Sequence, residues 1–181
     1  MLGWSFGGYV ALEYALRYPE RTSRLILLST DPGGVDFEDF EANALRKGAT
    51  PEQLEVLKTP VADDAALRRM WEVVRPLYWS EFDADLDDRV MGKTVFSAQA
   101  ANAGDAITKE WDVTPRLGEI RAPTLVLVGQ GDIICPPSQA KILYEGIPES
   151  ELVLFEHSGH FLYVEEAEAF FDAVRAWLRR T

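Results

Sequence analysis

The chain has 181 residues, 47% of them hydrophobic and 27% charged, a balance suited to a globular protein that can bury a sizeable core. A net charge of −12 without any basic stripe argues against a nucleic-acid partner, and no apolar run approaches the roughly 18 residues that a membrane span needs. The single cysteine, Cys135, can form no intramolecular disulfide, which with the lack of a signal-peptide pattern fits a reducing, cytoplasmic setting.

The first motif is Gly3-Trp4-Ser5-Phe6-Gly7-Gly8, which fits the G-x-S-x-G pattern of a nucleophile elbow. Such an elbow is a tight strand-to-helix turn that holds its serine in a strained backbone conformation. Side chains at Gly3 and Gly7 are expected to collide across the turn. The Phe6 amide, at the start of the next helix, is expected to lie where an oxyanion develops. Apolar positions from Gly8 to Tyr18 predict that helix, with Pro19 near its end. The continuously apolar run within Arg24 to Ser29 predicts a strand covered on both faces, as in a parallel sheet.

From Pro32 to Pro115 there is no strong buried strand, but several helical stretches occur, including Ala65 to Tyr78. This segment is expected to be an inserted helical cap, and it carries most of the negative charge. Its aromatic residues Trp71, Trp79, Phe82 and Trp111 could line an apolar pocket, although packing within the cap is the plainer expectation.

Beyond it, Thr124 to Val128 and Leu152 to Phe155 read as buried strands, and Pro137 to Gly146 and Glu165 to Arg179 as helices. This alternation predicts an α/β fold built on a parallel sheet. Residues 1–31 and 116–181 would form the core around the insert at 32–115.

Asp132 lies just past the carboxyl end of the second strand, where catalytic groups collect in open α/β sheets. Asp31, at the end of the earlier strand, is the rival acid; Asp132 is preferred because it keeps the chain order Ser, Asp, His. The two histidines, His157 and His160, follow the last strand. His160 is preferred as base, because Gly159 permits a loop that aims the next side chain inward. No third ligand clusters near them, so no metal is expected. Cys135 has no elbow around it and reads as a small buried residue.

With these elements in order, the chain resembles the α/β-hydrolase superfamily, and its wording is similar to proline iminopeptidase-like members that carry a helical cap. The resemblance rests on GWSFGGYVALEYALRYPERTSRLILLST, APTLVLVGQGDIICPP and VLFEHSGHFLYVEEAEAFF, and extends over essentially the whole chain. It implies Ser5 as nucleophile, Asp132 as orienting acid, His160 as base and Phe6 as an oxyanion-hole amide. It further implies cleavage of an ester or amide bond in a small molecule or short peptide through an acyl-serine, with no metal or organic cofactor. Removal of N-terminal proline is one expected activity. Carboxylesterase, lactonase and carbon–carbon-bond hydrolase chemistry use the same triad, and a non-catalytic binding protein is the reading of another class.

The chain departs from that family at its start. Only Met1 to Trp4 precede Ser5, whereas the family's elbow follows earlier strands and a loop that supplies a second oxyanion amide. The expectation is therefore the C-terminal part of an α/β-hydrolase fold, with the nucleophile strand nearly absent. All recognisable strands would lie to one side of it, and the open edge would invite self-association.

Overall fold

The computed structural model describes residues 1–33 and 37–180; the remaining residues of the predicted insert and core, 34–36 and 181, lie outside the described residues. Four strands form one parallel sheet in the order β1 (Leu2–Trp4), β2 (Leu25–Leu28), β3 (Thr124–Gly129), β4 (Ser150–Phe155). Leu2 pairs with Ile26, Leu25 with Thr124, and Thr124 with Ser150. All residues of β2 and β3 are buried, as their unbroken apolar runs require. The short strand before Ser5, expected to be nearly absent, is thus present, because its three residues each find a parallel partner in β2.

Alternate residues of the sheet feed two apolar layers. Leu25, Leu27, Val126 and Val128 pack against α1 (Phe6–Arg17) and against residues of the helix that follows β3. Ile26, Leu28, Leu125 and Leu127 pack on the opposite face with Phe170 and Trp177 of the C-terminal helix. Chain order places β1 at one edge and β4 at the other, so β2 to β4 all lie on one side of β1, as expected.

Between β2 and β3 lie α2 (Phe37–Arg46), α3 (Pro51–Lys58), α4 (Asp64–Val74), α5 (Ala84–Met91) and α6 (Ala98–Thr108). The expected helix from Ala65 to Tyr78 is shorter than its pattern. After Val74 it tightens into a 3₁₀ turn over Arg75–Tyr78, because Pro76 has no amide to continue the ladder. This helical insert is organised around a buried carboxylate. Asp87 accepts the Trp79 indole N–H at 2.8 Å and pairs with Arg75 at 2.9 Å. Trp71, Val74 and Trp79 then pack with Phe161, so the insert's apolar core continues into the loop after β4. Trp71 and Trp79 are core residues, while Phe82 is exposed.

After β3 come α7 (Pro137–Gly146), then β4, α8 (Leu162–Glu165) and α9 (Ala167–Arg179). The expected helix from Glu165 to Arg179 is split at Glu166, whose φ of −123° and ψ of 49° leave the helical region. Among the described residues no helix is long and apolar enough to cross a membrane.

Candidate active site

Ser5 occupies the sharp turn from β1 into α1 with φ 52° and ψ −126°, a conformation that costs a non-glycine residue about 1–3 kcal/mol. The end of β2 over-determines this turn. The Ser5 amide donates to the carbonyls of Leu28 and Ser29 at 3.0 and 3.1 Å, and Thr30 Oγ1 donates to the Ser5 carbonyl at 2.9 Å. Glycine is demanded at positions 3 and 8. A Cβ on Gly3 would strike Gly7 and Gly8 backbone, and one on Gly8 would strike Thr30. Gly7 corrects the sequence expectation, because a Cβ there meets nothing within 4 Å. The close approach that the turn imposes falls one residue later, where α1 crosses the end of β2.

Phe6 is the first residue of α1, so its amide has no intrahelical acceptor, and no side chain caps this end. The Phe6 ring is itself partly exposed and leans on Tyr9.

Asp132 ends a tight turn after β3, with its amide bonded to the Gly129 carbonyl at 3.1 Å. Its Oδ1 accepts the amides of Ile134 and Cys135, at 2.9 and 3.0 Å, leaving Oδ2 to meet His160 Nδ1 at 2.9 Å. Both residues are 2% exposed. A carboxylate only accepts, so Nδ1 is the donor of this bond. His160 is further fixed through its backbone, which donates to the Tyr78 carbonyl at 2.7 Å and accepts the Trp4 indole N–H at 3.2 Å. The Trp4 and Tyr78 rings each lie 5.5 Å from the imidazole.

The structure therefore joins His160 to Asp132 directly, whereas the Ser5 hydroxyl makes no hydrogen bond among the described residues and reaches that pair through its neighbour Trp4. His157 is exposed, and only its backbone is engaged, by Glu166. Asp31 has partners other than the imidazole. Its carboxylate accepts the Tyr9 hydroxyl at 2.7 Å, the Gly33 amide at 2.9 Å and the Cys135 thiol at 3.5 Å. Burial pushes the Asp31 carboxyl up, against these hydrogen bonds. The same burial, with Asp132 and Asp31 nearby, pushes the Cys135 thiol well up and keeps it neutral. Ser5, Phe6, Asp31, Phe40, Ile134 and Cys135 share the wall of a cavity of about 630 Å³.

Three further charged groups, none singled out by the sequence, hold the loops. Lys47 of the insert donates to the Gly131 carbonyl at 2.7 Å, and burial lowers its pKa while Asp132 and Glu165 oppose that shift. Glu165 accepts the amides of Ser80 and Gly159, and Glu166 accepts the His157 amide and the Ser158 hydroxyl. Burial raises the Glu165 carboxyl, with the two amides pulling the other way. The only sequence signal for these carboxylates was their place at the start of an amphipathic helix, where acidic residues are common on the solvent face.

A family model described as the alpha/beta hydrolase fold matches residues 1–167. Proline iminopeptidase PfmaB of Pestalotiopsis fici is 33% identical over 187 residues, covering 99% of this chain and 66% of that protein. A 2-hydroxy-6-oxo-6-phenylhexa-2,4-dienoate hydrolase of Burkholderia cepacia is 32% identical, covering 94% of this chain and 59% of its own length. Among solved structures, an esterase from Exiguobacterium antarcticum superposes with a TM-score of 0.73 at 22% identity, over 98% of this chain and 65% of the esterase. The chain thus spans less than two thirds of the length of these relatives.

Proposed function

The chain belongs to the alpha/beta hydrolase fold family, and on that premise we propose that it carries the catalytic triad of a serine hydrolase, with Ser5 as nucleophile, His160 as base and Asp132 as orienting acid. The observation that carries this reading is the buried Asp132–His160 hydrogen bond, 2.9 Å long, at the same end of the sheet as the strained Ser5 turn. Nε2 of His160 takes the Ser5 proton as Oγ attacks the substrate carbonyl, and Asp132 stabilises the imidazolium. The Phe6 amide at the N-terminus of α1 receives the developing oxyanion. Collapse of the tetrahedral species expels the leaving group, which takes the proton from His160, and water then releases the acyl group from Ser5 by the reverse sequence.

The substrate proposed is a small ester or a short peptide amide entering beneath the helical insert, which acts as a cap over the Ser5 cavity. One relative is named a proline iminopeptidase, another a 2-hydroxy-6-oxo-6-phenylhexa-2,4-dienoate hydrolase and a third a pimeloyl-[acyl-carrier protein] methyl ester esterase. The cavity wall mixes Phe6, Phe40 and Ile134 with Asp31, which suits an acyl group with one polar end. A panel of p-nitrophenyl esters and proline naphthylamide separates these chemistries. Ester turnover that Ser5→Ala abolishes supports the triad, and turnover unchanged in that variant refutes it.

A further inference from the structure

The loop that bears His160 is not held by the sheet alone. Glu165, at the end of α8, spans two segments that are far apart in sequence: its Oε2 accepts the Gly159 amide at 2.8 Å, and its Oε1 accepts the Ser80 amide at 2.6 Å. Gly159 immediately precedes His160. Ser80 immediately follows the Tyr78-Trp79 segment whose Tyr78 carbonyl receives the His160 amide. A second tie runs parallel to it, from Lys47 Nζ to the Gly131 carbonyl, while the Gly131 amide donates to Ser158 at 2.9 Å. The insert, the acid turn and the histidine loop therefore close a ring of hydrogen bonds in which, among the described residues, Glu165 is the one side chain that hydrogen-bonds both the insert and the histidine loop.

We propose that Glu165 is a positioning residue that couples the helical insert to the orientation of His160. Two charge-assisted bonds from one carboxylate fix the relative position of two backbones in a way that neutral side chains match poorly. Glutamine keeps the length of the side chain but replaces one acceptor oxygen by an NH₂ that opposes an incoming N–H. One of the two grips must then be lost. A Gly159 amide left without its acceptor also has no other partner among the described residues, so the loop must shift to find water. Movement of this kind passes directly to His160 one residue on, and with it to the Nδ1–Oδ2 contact.

The proposal builds on the hydrolase reading only in its consequence for Ser5, so its test reads the imidazole itself. The chain has two histidines, and the exposed His157 can be replaced by Gln to leave His160 as the sole imidazole. In that background, nuclear magnetic resonance follows the low-field Nδ1 proton, with and without Glu165→Gln. The expected result is a displaced and broadened Nδ1 resonance, and fluorophosphonate labelling of Ser5 slowed about tenfold to a hundredfold. Ser80→Pro removes the insert's amide donor together with the Ser80 hydroxyl, at a site where the preceding Trp79, with ψ 150°, is already in the conformation that proline requires. It should displace the imidazole signals in the same sense with the fold intact. An unchanged Nδ1 resonance in both folded variants would overturn the proposal. Displaced imidazole signals in a chain whose Ser5 never labels would uphold it and refute the hydrolase reading instead.

Discussion

Trp4 donates its indole N–H to the backbone carbonyl of His160 at 3.2 Å, with the two rings 5.5 Å apart. One side chain thereby sets the distance between the residue before the elbow serine and the residue read as base, without involving the serine hydroxyl. Trp4→Phe retains an aromatic ring but removes the donor. The expected outcome is a loss of about 1 kcal/mol in chemical denaturation, with Ser5 labelling slowed by a larger factor than the stability change accounts for. Equal labelling rates would show that this contact serves packing only.

The two carboxylates at the strand ends have different partners and should respond differently. Asp132→Asn leaves His160 Nδ1 facing an amide that can hold the wrong tautomer, a change worth on the order of 10⁴ in turnover where a triad aspartate is altered this way. Asp31→Asn touches Tyr9, Gly33 and Cys135 and leaves the imidazole pair untouched. Its expected effect is on KM, through the cavity wall, with kcat largely kept. Steady-state kinetics on both variants make the comparison, and the opposite ranking would move the acid to Asp31.

Cys135 should be silent toward thiol reagents in the folded protein. Its ordinary thiol value is 9.0, and burial with the nearby Asp132 and Asp31 carboxylates pushes the folded value well above that. Raising the pH through the normal thiol range therefore generates thiolate only in unfolded chains. Titration with a disulfide reagent should show no reaction at pH 9 before unfolding and one equivalent in denaturant. Rapid reaction of the native protein would contradict the burial of this group.

Among the described residues β1 pairs with β2 alone, and its other edge is open. Leu2 of β1 is 51% exposed, and Phe6 and Val10 of α1 are 45% and 59% exposed. Unpaired strand edges flanked by apolar surface recruit further chains. Size-exclusion chromatography with light scattering on the 181-residue chain should show concentration-dependent association, which Leu2→Lys and Val10→Lys reduce. A monodisperse monomer at all concentrations would refute this.

The two inner strands were legible because buried parallel strands carry unbroken apolar runs, as Leu25–Leu28 and Thr124–Val128 do. Leu152 to Phe155, expected to be buried, instead belongs to an edge strand on which only Phe155 is buried and Leu154 is 42% exposed. Ser5, Asp132 and His160 stood out because each lies within two residues of a glycine in a turn or loop after a strand, where local backbone demands reach the sequence directly. Glu165, Glu166 and Lys47 were hidden, since their roles rest chiefly on backbone amides and carbonyls, and a backbone partner leaves no residue-type signature. Gly7 misled for a related reason. The motif places glycine symmetrically about the serine, but the obstacle is Thr30, and it lies over Gly8.

The central claim is that Ser5 is a nucleophile activated by His160, and the most direct measurement is site-resolved labelling of the intact 181-residue chain by a fluorophosphonate probe. Mass spectrometry of the digested adduct should place the phosphonyl group on Ser5, with labelling abolished by Ser5→Ala, nearly abolished by His160→Ala and little changed by His157→Ala. An adduct on another residue, or labelling of Ser5 that is indifferent to His160, would contradict the account.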